Sequence, residues 1–180
     1  VISAYNNAGF GLWEANLVTY RDNPVVNGVI AAMIVIGGIG WRVINDLWVN
    51  RFRLRRLRRL SLHTRLVVRT TLLLILLGCI GLLITEHFGY EANALGNLSL
   101  WQKIQITLFQ SITTRTAGFN TIPLSAETIT DAGLLLMILL MFIGASPGGT
   151  GGGIKTTTFA ILMGATRSTL EGRNDVLLHR

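Results

Sequence analysis

Three stretches of this chain, 24–41, 66–85 and 132–165, are apolar over roughly the length of a membrane crossing, and the charged residues are gathered between them. A soluble domain carries about 25% charged residues; here they make up 14%, against 50% hydrophobic residues. About 20 apolar residues in a helix cross the ~30 Å hydrocarbon core. The chain therefore reads as an all-α integral membrane protein. It opens at Val1 inside a motif, so a fragment of something longer is expected, with no signal peptide to set aside. Its one cysteine, Cys79, lies in an apolar run and reads as a small buried side chain rather than a redox group.

The net charge of +7 has one source: nine arginines against the single acid Asp46 between Arg42 and Arg69. A basic block can mean nucleic acid, but this one sits between two membrane-length runs. A short arginine-rich connection is what the positive-inside rule places on the cytoplasmic side. No nucleic-acid partner is expected; anionic lipid headgroups suit the same charges. Leu54, Leu57 and Leu60 recur every three residues, as in a helix lying along the inner surface. Trp41 and Trp48 read as inner-interface anchors and Arg69 as a snorkelling charge. Gly37-Gly38-Ile39-Gly40 allows close packing or a bend at the end of the first run.

Two short polar segments break the apolar pattern. AYNNAGFG (4–11) and TTRTAGFNT (113–121) align on Ala-Gly-Phe at an offset of 109 residues, and an apolar run follows each. Before the second copy, 99–112 has helical spacing of Leu100, Trp101, Ile104, Leu108 and Ile112 behind the N-cap candidate Ser99. Those fourteen residues reach about 21 Å, too short to cross. The glycine loop and the polar residues 120–131 that follow favour a re-entrant helix over a surface amphipathic one, and re-entry points its negative end inward, towards a cation. The third run is interrupted by SPGGTGGG (146–153). Non-helical backbone at membrane depth is tolerated only where it is buried in protein or lines a watery path.

A dehydrated cation needs a ring of oxygens, and backbone carbonyls supply one without a buried negative charge. Glycine is needed where the backbone must adopt a conformation closed to other residues. Both copies carry the order small-Gly-aromatic of a carbonyl-lined filter, and the alternative is a pair of ordinary glycine turns. Arg115 is expected to turn its side chain into the protein towards neighbouring acids. GGTGGGIKT resembles a phosphate-binding loop, but Ile154 separates Gly153 from Lys155 and no strand precedes it. His63, His87 and His179 lie in separate segments, so neither enzyme activity, a bound metal nor a cofactor is expected.

On AYNNAGFG, IGGIGW (36–41), TTRTAGFNT and IGASPGGTGGGIKTTTF (143–159), the chain resembles the Trk/Ktr/HKT superfamily of potassium transporters, with wording closer to Ktr-type membrane subunits. The resemblance implies span–re-entrant helix–filter loop–span repeats, four to a pore. Residues 1–48 would be the second half of one repeat, 49–65 a cytoplasmic linker, 66–170 a complete repeat with an interrupted last span, and 171–180 a cytoplasmic segment. It implies a potassium filter at Asn6, Asn7, Ala8 and Gly9 with Arg115, Thr116, Ala117 and Gly118. It implies a gating loop at Gly144, Ser146, Gly148, Gly149, Thr150, Gly151, Gly152, Gly153 and Lys155. Potassium would be the transported ion, with sodium a candidate coupling or activating ion. The partners would be membrane lipid, the remaining repeats, a second copy in a homodimer and a cytoplasmic nucleotide-binding regulatory ring. The location would be the plasma membrane, with the filter loops towards the outside. Substitution at Gly151 is expected to alter gating and leave selectivity largely intact. The rival reading is a secondary transporter whose substrate site is the broken helix at 146–153.

Overall fold

A computed structural model describes residues 1–50, 60–87, 95, 98–125 and 128–172. The expected surface-helix leucines 54 and 57 and the segment 173–180 lie outside them. Among the described residues all regular structure is helical: α1 (Ile2–Tyr5), α2 (Pro24–Ile39), α3 (Trp41–Val49), α4 (Leu62–His87), α5 (Leu100–Thr113), α6 (Asp131–Phe142) and α7 (Thr156–Leu170).

The helix starts follow local chemistry. Asn23 caps α2 by accepting from the amides of Val25 and Val26, each at 3.1 Å, with Pro24 at the first helical position. Ser99 and Gln102 form a reciprocal capping box on α5. Thr130 caps α6, and Glu86 at the far end of α4 accepts from both the amide and the hydroxyl of Thr130. The carboxylate thus lies at the positive end of the α6 dipole.

α4 is the ruler of the molecule. Its 26 residues reach about 39 Å, and it is long and apolar enough to cross a membrane. Both α6 and α7 lie against it. They have 12 and 15 residues, about 18 and 22 Å, so neither crosses alone. The first apolar run stops being straight at Gly40, where the chain bends by 98° into α3. Gly40 has φ +91, a conformation that side chains disfavour, so the bend is written into the sequence. α3 leaves Trp41 and Trp48 about 70% exposed.

Asp46 then ties α3 to the start of α4. Its carboxylate accepts from the Ser61 amide at 3.0 Å, the Ser61 hydroxyl at 2.9 Å and Asn50 Nδ2 at 3.0 Å. Hydrogen bonding from Thr64, then from Ser61 and Asn50, holds its pKa below the ordinary carboxylate range, against an opposing effect of burial.

α5 departs from a surface amphipathic helix. Leu100, Trp101 and Leu108 of the helically spaced set are exposed, whereas Ile106, Thr107 and every residue from Phe109 to Thr113 are buried. The helix is not amphipathic along its length. Its second half plunges into protein, so burial there is decided by depth rather than by face. One core joins α2 and α5 through Ile30, Ile34, Phe109 and Ile112 to Ala117 and Phe119 of the second loop. Another joins Leu82 of α4, Ile106 of α5 and Met137 of α6.

Candidate functional site

The two Ala-Gly-Phe loops meet. At the offset of 109, Asn7 corresponds to Thr116 and Gly9 to Gly118, and all four have positive φ: +51, +74, +73 and +77. A repeated left-handed residue every second position swings successive peptide planes back to the same side. Among the described residues, no donor meets the carbonyls of Asn6, Asn7, Ala8 and Gly9 or those of Arg115, Thr116 and Ala117. The Gly118 carbonyl has only a 3.4 Å approach from Asn16 Nδ2. Such carbonyls are available to a cation.

The two glycines are in backbone contact. A Cβ on Gly9 would sit 2.9 Å from the Ala117 carbonyl oxygen, Gly118 Cα and Gly118 oxygen, and one on Gly118 would sit 3.2 Å from Gly9 Cα. A cavity of about 290 Å³ is lined by Asn7, Ala8, Thr116, Ala117 and Gly118, with Gln110 and Thr113 of α5 and its C-cap Thr114. The likeness of the loops ends at their aromatics: Phe119 is 4% exposed and Phe10 81%.

The broken span lies against both loops. Its ends are zipped together, with the Gly144 amide donating to Ile154 O and the Ala145 amide to Gly152 O, each at 3.0 Å. No side chain fits at Gly144, because a Cβ would lie 1.7 Å from the Gly152 oxygen. The loop rests on the end of α2. The last four carbonyls of a helix lack partners within it, and here Gly37 O and Gly38 O receive the amides of Thr150 and Ser146 at 3.0 and 2.9 Å. Ser146 and Thr156 share a buried hydroxyl contact of 2.8 Å.

Four hydrogen bonds run from this loop to the two Ala-Gly-Phe segments. The Thr150 hydroxyl donates to Tyr5 O and accepts from Asn7 Nδ2, both at 2.8 Å. The Gly152 amide donates to Thr116 Oγ1 at 3.1 Å, and the Arg115 guanidinium to Gly144 O at 2.9 Å. Arg115 thus departs from expectation: its partner is a backbone carbonyl where α6 ends, not an acid. Lys155 also bonds a carbonyl, Gly151 O at 2.9 Å.

Two further features of the loop follow from this geometry. The amides of Ser146, Gly149, Thr150, Gly152 and Ile154 all donate to protein acceptors, so the glycine-rich loop does not present a free cradle for phosphate. A Cβ at Gly151 would lie 2.6 Å from Thr116 Oγ1 and 2.8 Å from Ala145 Cβ. Gly151 therefore bears on the second Ala-Gly-Phe loop as well as on the broken span. Gly148 and Gly152 face open space.

Sequence reasoning missed Asn16. It adopts φ +55, accepts from the Asn120 amide at 3.3 Å and approaches Gly118 O, while the Leu17 amide donates to Asn120 O at 3.1 Å. The exits of the two loops are thereby pinned to each other. Nothing in LWEANLVTYRDN marks Asn16 beyond its residue type, which tolerates positive φ.

The TrkH cation transport protein family model matches residues 1–178. The Ktr system potassium uptake protein B of Bacillus subtilis (strain 168) is 38% identical over 99% of this chain. The protein of the same name from Vibrio alginolyticus is 36% identical over the same share. The chain spans 38% of the length of each of these two relatives. The crystal structure of the potassium transporter TrkH from Vibrio parahaemolyticus has the same fold. Its TM-score is 0.72 at 20% identity, covering 94% of this chain and 34% of that one.

Proposed function

The chain belongs to the TrkH cation transport protein family, and from that we propose that it forms part of a membrane pore for potassium uptake. The carbonyls of residues 6–9 and 115–118 are two of the four filter strands, and the loop 144–155 is the gate on the path below them. The observation that carries this reading is the contact of Gly9 with Gly118 between two loops of matching, alternating backbone, whose carbonyls other than that of Gly118 meet no donor among the described residues.

Residues 1–48 are the second half of one repeat and 66–170 a complete one, joined by the basic segment 49–65. The basic segment faces the cytoplasm and the filter loops the outside, as the arginine bias requires. The remaining repeats close the pore. A homodimeric partner and a cytoplasmic nucleotide-binding regulatory ring act on it, and sodium is the candidate coupling ion. A substrate site at 146–153 has less support, because the amides there are already engaged.

The test is rubidium uptake by the full-length parent in cells lacking other potassium uptake, wild type against Gly118→Ser. The expected result is a weakened preference for rubidium over sodium with normal amounts of protein in the membrane. Unchanged preference would put the broken-helix transporter first.

A further inference from the structure

We propose that Thr150 is a positioning residue for cation selectivity, so that the gating loop, when it moves, also changes which cation the filter accepts. This rests on the reading of the two loops as a filter. Asn7 and Thr116 are the non-glycine residues at positive φ in the two filter loops. A β-branched residue such as Thr116 is rarely found there, and such conformations persist only when the surroundings over-determine them.

For both residues the backbone is held locally, the Asn7 and Ala8 amides donating to Ala4 O and Ser3 O and the Ala117 amide to Thr113 O, but the side-chain hold comes from one element, the loop 143–155. Among the described residues, Asn7 Nδ2 has one partner, the Thr150 hydroxyl, its buried Oδ1 has none, and Thr116 Oγ1 has one partner, the Gly152 amide. Thr150 acts on the first loop twice, because its hydroxyl also donates to Tyr5 O at the end of α1. A valine in its place has the same shape and neither bond.

The consequence is directional. Displacing loop 143–155 far enough to clear a path breaks both holds. Asn7 and Thr116 then keep only the local backbone bonds of their helix ends, and the carbonyls beside them are held less firmly towards their shared side. A displaced gate therefore leaves the filter less rigid, and so less selective, than a docked one. Conversely, a cation held by those carbonyls favours the φ values that keep the loop docked. Binding and gating are linked by their shared dependence on one element.

The experiment compares rubidium and sodium uptake by the full-length parent carrying Thr150→Val, Thr150→Ser or Gly118→Ser. Losing two hydrogen bonds should lower the rubidium-over-sodium preference about tenfold in Thr150→Val. Thr150→Ser, which keeps the hydroxyl, should restore it. A Thr150→Val protein that changes uptake rate but not preference, while Gly118→Ser changes preference, overturns the coupling and leaves the filter reading standing. Unchanged preference in Gly118→Ser as well overturns both. If Thr150→Val does not reach the membrane, Thr116→Val removes the matching hold on the second loop. The proposal then requires the same loss of preference and is overturned by its absence.

Discussion

Gly9 and Gly118 occupy equivalent positions in the two loops, yet the structure makes them unequal. At Gly118 an added methyl meets only Gly9 Cα, at 3.2 Å, so a shift of a few tenths of an ångström relieves it. The remaining cost is the left-handed φ of +77, about 1–2 kcal/mol for a residue with a Cβ. At Gly9 the same conformational cost applies, and the methyl also meets three backbone atoms at 2.9 Å. None of them is the tip of a flexible side chain. Overpacking of this kind adds about 1–3 kcal/mol.

That difference, placed on the loaded filter, is worth roughly tenfold or more in apparent affinity. Gly9→Ala is therefore expected to raise the rubidium half-saturation concentration about tenfold more than Gly118→Ala, in uptake assays matched for protein in the membrane. The double variant should fall short of the sum, because each methyl displaces the other's neighbour. Equal effects, or a larger effect at Gly118, would refute the claim that the glycine contact sets the limit.

Gly152→Ala, with open space at its Cβ, should change uptake rate with little change in preference, whereas Gly151→Val presses on Thr116 and should change both; rate and sodium competition measured together separate them. Because the Asp46 pKa is lowered, its stabilisation is present above the unfolded value of about 3.9 and is lost as pH falls through the folded value. In thermal unfolding of the parent, Asp46→Asn should therefore be less stable than wild type at neutral pH, with the gap closing in acid. Glu86→Ala should lower thermal stability by about 1–3 kcal/mol by removing the acceptor of the Thr130 amide and hydroxyl at the start of α6, and a variant as stable as wild type would rule that role out.

The sequence by itself determined the elements. Apolar runs separated by charge admit helices in a membrane and little else. Asn23-Pro24 and Ser99 mark helix starts because their side chains satisfy orphan amides within three residues, a purely local matter. The two Ala-Gly-Phe copies were legible because positive φ restricts residue type wherever it occurs. What tertiary structure alone decided is who faces whom. The buried half of α5, the burial of Phe119 beside the exposure of Phe10, and the turn of Arg115 towards Gly144 O depend on which segment arrives as neighbour. The same holds for the four bonds between residues 5–7 and 115–116 and the loop 143–155. Thr150 and Asn7 are 143 residues apart, and a hydrogen bond of 2.8 Å leaves no period, spacing or composition in a sequence by which it could be read.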